Sequence, residues 1–304
     1  MRTCIRTAAT VLLVLTRPAA AQDVTPQRIR ALAVNSLVDS LSGAIPVYFS
    51  PNVASRDAAD LQALMIGCVT KYRDSIPALP EIELAILDSA AWMKVSSLPY
   101  GLPNNNATVS PIVVLVPQSA PAIFAHSSGI PPDQATHLFR VLALHELGHI
   151  LMFGIVGVNR AAPWDHEHFP AWYYELTATY FALTCLSARP AAARLVRGSE
   201  DSLRAFPRPS STRLDDVTKV LSTEGPGGTP YIFTPTGLAH FAWYQRLMNE
   251  AAGRIEERLG LGLVPLLRRQ WRREGPVTTA DIVRDLDSAT PGLASWLKTY
   301  GAFP

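Results

Sequence analysis

Apolar positions along the chain change period more than once. Residues 45–49 (Ile-Pro-Val-Tyr-Phe) alternate as in a half-buried strand, whereas 54–74 set Leu61, Leu64, Met65, Cys68 and Tyr72 on one helical stripe. Two runs, 82–87 and 112–116, predict strands, and the second is so uniformly apolar that it belongs inside a sheet. Between them, Pro-Tyr-Gly-Leu-Pro-Asn-Asn-Asn at 99–106 is rich in turn formers and predicts a loop. A short helix is expected over 26–40. From Asp133, placed to cap after Pro131 and Pro132, the period turns helical for about 20 residues. A loop over 154–170 leads to a second helix over 171–186. Pro207, Pro209, Ser210, Ser211 and the run Gly-Pro-Gly-Gly-Thr-Pro at 225–230 mark 199–230 as a surface excursion. Helices are expected again over 237–251, 255–270 and 279–286. Strands first and helices later argue for an α+β fold. A mixed N-terminal lobe over 22–155 would precede a helical C-terminal lobe over 156–304.

The first 21 residues stand apart. Arg2 and Arg6 precede an apolar run over 8–15, and Ala19, Ala20 and Ala21 form a small-residue site before Gln22. This is the pattern of an export signal, with a run too short to span a bilayer core of about 30 Å. The protein is therefore expected outside the cytoplasm. The chain has 304 residues, 48% of them hydrophobic and 17% charged, enough to bury a substantial core. Removing Arg2, Arg6 and Arg17 with the leader leaves 24 of the 27 basic groups against 25 acidic ones, a net charge of about −1. Such a balance recruits neither nucleic acid nor an anionic membrane surface. Cys68 and Cys185 remain after the leader is removed. They can pair in an oxidising compartment or stay as buried thiols, and no C-x-x-C pattern exists.

Chemistry concentrates in residues 141–153, Val-Leu-Ala-Leu-His145-Glu146-Leu-Gly-His149-Ile-Leu-Met-Phe. Two histidines four apart lie one above the other on a helix, so both imidazoles can reach one metal ion. Glu146 projects near the same point, where it can act as a base toward water. Zinc suits such a site because imidazole is a good ligand and an open fourth position can take water. With 7 His in the chain, chance yields His-Glu-x-x-His only about 0.006 times. The surrounding helix is apolar nearly all round, and burying these three polar groups without partners would cost several kcal/mol.

A third ligand is needed. Glu175 is the only acid in the apolar helix over 171–186 and is the first candidate; as a lone carboxylate it is expected to be buried. His166 and His168, in the polar loop with Asp165 and Glu167, are rivals. A donor for a developing oxyanion is also required. Tyr231 and His240 are the candidates, with Tyr244 on the same stretch as His240. His126 and His137 have no companions and read as structural.

These residues resemble those of the gluzincins, zinc metallopeptidases with His-Glu-x-x-His on one helix and a glutamate ligand on the next. The matching positions are His145, Glu146, His149 and Glu175, and Trp172-x-x-Glu175-x-x-Ala178 is similar to the second-helix pattern of that group. The resemblance implies a two-lobed zincin-like fold, a cleft between the lobes, a bound Zn2+ and hydrolysis of peptide bonds in a peptide or protein substrate. The Gly-Ala-Met-Glu-Asn and Tyr-x-Lys-Gly segments of the aminopeptidase branch are missing, so N-terminal trimming is unsupported. His-Glu-Leu-Gly-His before an apolar run also resembles intramembrane zinc proteases, but no second stretch of about 20 apolar residues exists. The competing reading is a catalytically idle zincin-like scaffold or binding module outside the cytoplasm.

Overall fold

The computed structural model describes residues 24–302 apart from 78, 97–99, 101–102, 107–108, 119–137, 158–167, 188–192, 194–199, 206–212 and 215–234. The expected leader, Asp133, His126, His137, His166 and Tyr231 lie outside the described residues. Among the described residues the architecture is mixed α+β and mostly helical, around one five-stranded sheet.

The chain begins with helix α1 (Pro26–Val34) and strands β1 (Asp39–Leu41) and β2 (Val47–Phe49). Helix α2 (Ser55–Tyr72) leads to β3 (Ile82–Leu87) and the short helix α3 (Ser89–Val95). Strands β4 (Asn104–Asn106) and β5 (Ile112–Pro117) complete the sheet, in the order β1-β2-β3-β5-β4. β2, β3 and β5 run parallel, while β1 and β4 pair antiparallel as the two edges.

Side chains alternate across this sheet, and both faces are covered. Leu84, Ile86, Val114 and Val116 face the larger core with α2 and the later helices. Ala85, Leu87, Val113 and Leu115 face a smaller core with Ile29 of α1 and Trp92 of α3. Two covered faces explain why β5 carries no alternation in its sequence.

The remaining helices among the described residues are α4 (Leu138–Val156), α5 (Ala171–Cys185), α6 (Glu200–Ala205), α7 (Pro235–Leu259), α8 (Leu263–Trp271), α9 (Thr279–Ala289) and α10 (Leu293–Thr299). Helix α5 is buried almost throughout, and its polar atoms are tied to neighbours. The Tyr173 hydroxyl donates to Gln270 Oε1 of α8 at 2.8 Å, and Trp172 Nε1 donates to Thr279 Oγ1 of α9 at 3.0 Å. Tyr180 donates to the Gly260 carbonyl, and Lys71 Nζ of α2 donates to the Thr184 carbonyl at 2.6 Å. Cys68 of α2 and Cys185 of α5 form a disulfide, with Cα atoms 5.0 Å apart and a sequence separation of 117. That pairing resolves the alternative left open by the sequence. No helix among the described residues is long and apolar enough to cross a membrane, α4 included.

Three expectations are corrected. Asn104–Asn106 is an edge strand and not a loop, because neighbouring β5 and specific amide hydrogen bonds override the poor strand propensity of asparagine. The break expected near residue 252 is absent; α7 runs through Gly253 and stops at Gly260, whose φ of +52° suits glycine. The first helix ends at Val34, and residues 39–40 belong to β1.

Because the disulfide closes so long a segment, its loss relaxes the unfolded chain substantially. Replacing Cys68 and Cys185 together by Ala is expected to lower stability by about 2–4 kcal/mol. Chemical denaturation with and without reductant checks this, since reduced wild type must fall to the level of the variant.

Candidate metal centre

The site is built where α4 crosses α5. At the crossing, Gly148 meets Ala178 so closely that a Cβ on Gly148 would lie 2.5 Å from the Ala178 carbonyl oxygen. Only glycine permits this approach. One turn earlier on each helix, His145 and Glu175 are brought face to face. His145 Nε2 lies 3.1 Å from Glu175 Oε2, and His149 Nε2 lies 3.7 Å from Glu175 Oε1. The two imidazoles stand edge to face with centroids 4.9 Å apart.

Two ring nitrogens and a carboxylate oxygen from these residues lie within 4.8 Å of one another, the only such group among the described residues. A tetrahedral cation with bonds of about 2.1 Å spaces its ligands by roughly 3.4 Å. His145 Nε2 lies 3.1 Å from Glu175 Oε2, close to that spacing, and His149 Nε2 lies 3.7 Å from the other carboxylate oxygen. Two imidazoles and one carboxylate also form a donor set suited to a divalent ion. The residues present fit a metal.

The group is open on one side. His149 is buried, but the Glu175 side chain is 39% exposed, which corrects the expectation of a buried carboxylate and gives solvent access to the centre. Thr179, one turn beyond Glu175, places Oγ1 3.3 Å from His145 Nδ1. With Nδ1–H donating to this hydroxyl, the lone pair of Nε2 is left for a cation. Burial pulls the pKa of His145 down, but the hydrogen bond and charge of Glu175, with Glu146 beyond, outweigh it and the net shift is upward.

Glu146 sits beside the ligands, buried, with its pKa pushed up to about 7 by loss of solvent. The charge of Glu175 adds to that rise, while His145 and a hydrogen bond from Asn105 oppose it. A cation held nearby would draw it back down. Asn105 Nδ2 donates to Glu146 Oε2 at 2.8 Å. Helix α7 packs along α5 and carries Tyr244, which is buried and has no hydrogen-bond partner for its hydroxyl among the described residues. Burial and then the Glu175 charge push the Tyr244 pKa well above its usual value.

Of the positions singled out in the sequence, His145, Glu146, His149 and Glu175 converge. His168 does not join them: it packs between Phe169 and Trp271, with centroids 4.8 and 4.3 Å away. His240 is partly buried on α7, one turn before Tyr244, and burial lowers its pKa. Gly148, Thr179 and Asn105 were not singled out. Their signals were faint: a glycine in an apolar helix, a threonine four beyond a glutamate, and three asparagines that read as a turn. No protein-family model, no curated protein and no solved structure matches this chain.

Substitutions at the crossing and at the ring contact test this geometry. Gly148→Ala is expected to destabilise the fold by at least about 1–3 kcal/mol and to weaken metal binding, because a backbone oxygen stands where the methyl would go. Gly67→Ala, on an open face of α2, is expected to be neutral or to stabilise by up to about 1 kcal/mol. Denaturant melts and metal titrations on the pair check both. Thr179→Val is expected to keep the fold and to lower metal affinity by about 10–100-fold, read by competition with a chromogenic chelator.

Proposed function

We propose that this protein is an exported zinc-dependent peptidase of gluzincin type, with a zincin-like arrangement of an active helix and a ligand helix. The observation that carries the reading is the convergence of His145, His149 and Glu175 with the carboxylate of Glu146 beside them. Donors of this kind on two fixed helices suit a metal, and Glu146 lies where a base toward water is needed. When bound, zinc supplies a Lewis acid and lowers the pKa of a water toward neutrality.

The chain's own groups supply the rest. His145 and His149 hold their Nε2 atoms toward Glu175, and Thr179 keeps the His145 ring in the orientation that frees Nε2. Glu146, an acceptor held in a buried position, takes the proton of the attacking water and passes it to the amine that leaves. The Tyr244 hydroxyl, buried and lacking a partner among the described residues, is the donor assigned to the developing oxyanion. Tyr244 is chosen because its helix packs along α5 and its buried hydroxyl is unsatisfied among the described residues; Tyr231 lies outside them. The exposed edge of Glu175 gives a peptide a way in.

Export is supported by the leader pattern over 1–21 and by the disulfide, which belongs in an oxidising compartment. A peptide or protein substrate follows from the proposed chemistry.

The purified protein is expected to carry about one zinc per chain and to cleave an unfolded protein such as casein, with cleavage lost to a chelator and restored by added zinc. Glu146→Gln is expected to keep the metal and the fold while lowering turnover by at least about 10²–10⁴-fold. Elemental analysis and fluorogenic casein assays check both. Metal with no cleavage would favour the scaffold reading, and a folded protein that takes up no metal would overturn the site itself.

A further inference from the structure

Strand β4 sits at the edge of the sheet with three consecutive asparagines, and its register decides where each side chain goes. Asn105 pairs with Val114, and Asn106 pairs with Val113. Val114 faces the larger core that contains α4, whereas Val113 faces the smaller one. Strand alternation therefore sends Asn105 toward α4 and Asn106 away from it. Asn106 Nδ2 donates to the Val24 carbonyl at 2.8 Å, an ordinary tie to backbone. Asn105 Nδ2 instead donates to Glu146 Oε2 at the same distance of 2.8 Å.

Asn105 is only 7% exposed, and its Oδ1 is buried with no hydrogen-bond partner among the described residues. A buried amide with one end unsatisfied is a poor way to fill a core position, where an apolar side chain would avoid the desolvation penalty. The end that is satisfied holds a single carboxylate oxygen. Glutamate has three rotatable bonds, and a fixed donor on Oε2 restricts them while leaving Oε1 free of Asn105. The donor rides on a strand locked to β5, so its position does not depend on a loop.

We propose that Asn105 is a positioning residue: from the edge strand it fixes the Glu146 carboxylate in the orientation required for proton transfer. This role rests on the peptidase reading and adds to it a residue from the other side of the fold. The sheet thereby sets the base, while the two crossing helices set the ligands.

The test uses the full zinc-loaded chain with Asn105→Leu and Asn105→Ala, each in the wild-type and Glu146→Gln backgrounds. Asn105→Leu keeps about the size of the side chain and removes the donor without adding a charge beside Glu146, so it separates positioning from packing. Both substitutions are expected to lower kcat on fluorogenic casein by about 10–100-fold, with KM, zinc content and melting temperature little changed. In the Glu146→Gln background they are expected to add no further loss, since the group they position is already disabled. A readout independent of turnover comes from 15N-labelled protein. The Asn105 side-chain amide resonance, assigned by its disappearance in Asn105→Leu, is expected to move in Glu146→Ala.

Wild-type kcat in Asn105→Leu, or full additivity with Glu146→Gln, would overturn the positioning role and leave the peptidase reading standing. An amide resonance indifferent to Glu146→Ala would overturn the contact itself. Zinc-loaded wild type that cleaves nothing would overturn the peptidase reading, and this role with it.

Discussion

The approach of α4 to α5 at Gly148 and Ala178 is the constraint on which the site depends. Helices that cross with a side chain between them stand roughly 8–10 Å apart, and a glycine at the contact lets one backbone settle onto the other. Here the separation is so small that no Cβ fits at Gly148. His145 and His149 flank this contact on α4, and Glu175 and Thr179 flank it on α5. The two nitrogens of His145 are thus met by Glu175 and Thr179 from successive turns of one helix. Were the helices a methyl group further apart, both contacts would open together.

A crossing this tight needs a ligand helix that does not shift. Helix α5 lies among apolar residues nearly along its whole length, yet it carries three tyrosines, a tryptophan and three threonines. Burial of those groups is tolerable because the hydroxyls of Thr184, Tyr173 and Tyr180 find partners on α2, α8 and the α7–α8 junction. The disulfide to α2 adds a covalent tie at the far end. Hydrogen bonds are directional, so this set fixes the rotation of α5 about its axis as well as its depth. Rotation decides whether Glu175 faces the histidines.

The sheet contributes through register. A strand has a side-chain period of two, so a slip of one residue on β4 would turn Asn105 away from α4 and bring a neighbour in its place. Pairing of Asn104, Asn105 and Asn106 with Leu115, Val114 and Val113 prevents the slip. The candidate base is thereby held by an element remote in sequence from the proposed ligands, and the centre is assembled from the edge of a sheet and two helices at once.

The sequence by itself determined the local chemistry and most of the local structure. His145, Glu146 and His149 sit within one helix, where spacing alone dictates a shared face. The strands at 82–87 and 112–116, the helix at 55–72 and the buried character of α4 and α5 were likewise legible, because periodicity is a short-range signal. Glu175 stood out as a lone acid in an apolar helix, though its partial exposure did not. Only the tertiary structure decided the rest. The pairing of Cys68 with Cys185, the strand made from Asn104–Asn106 and the contact between Asn105 and Glu146 join segments far apart in the chain. The same is true of the absent side chain at Gly148, whose importance lies wholly in what stands opposite it. Periodicity reports which face of an element is apolar. It carries no information about which other element that face will meet, and the proposed function rests on those meetings.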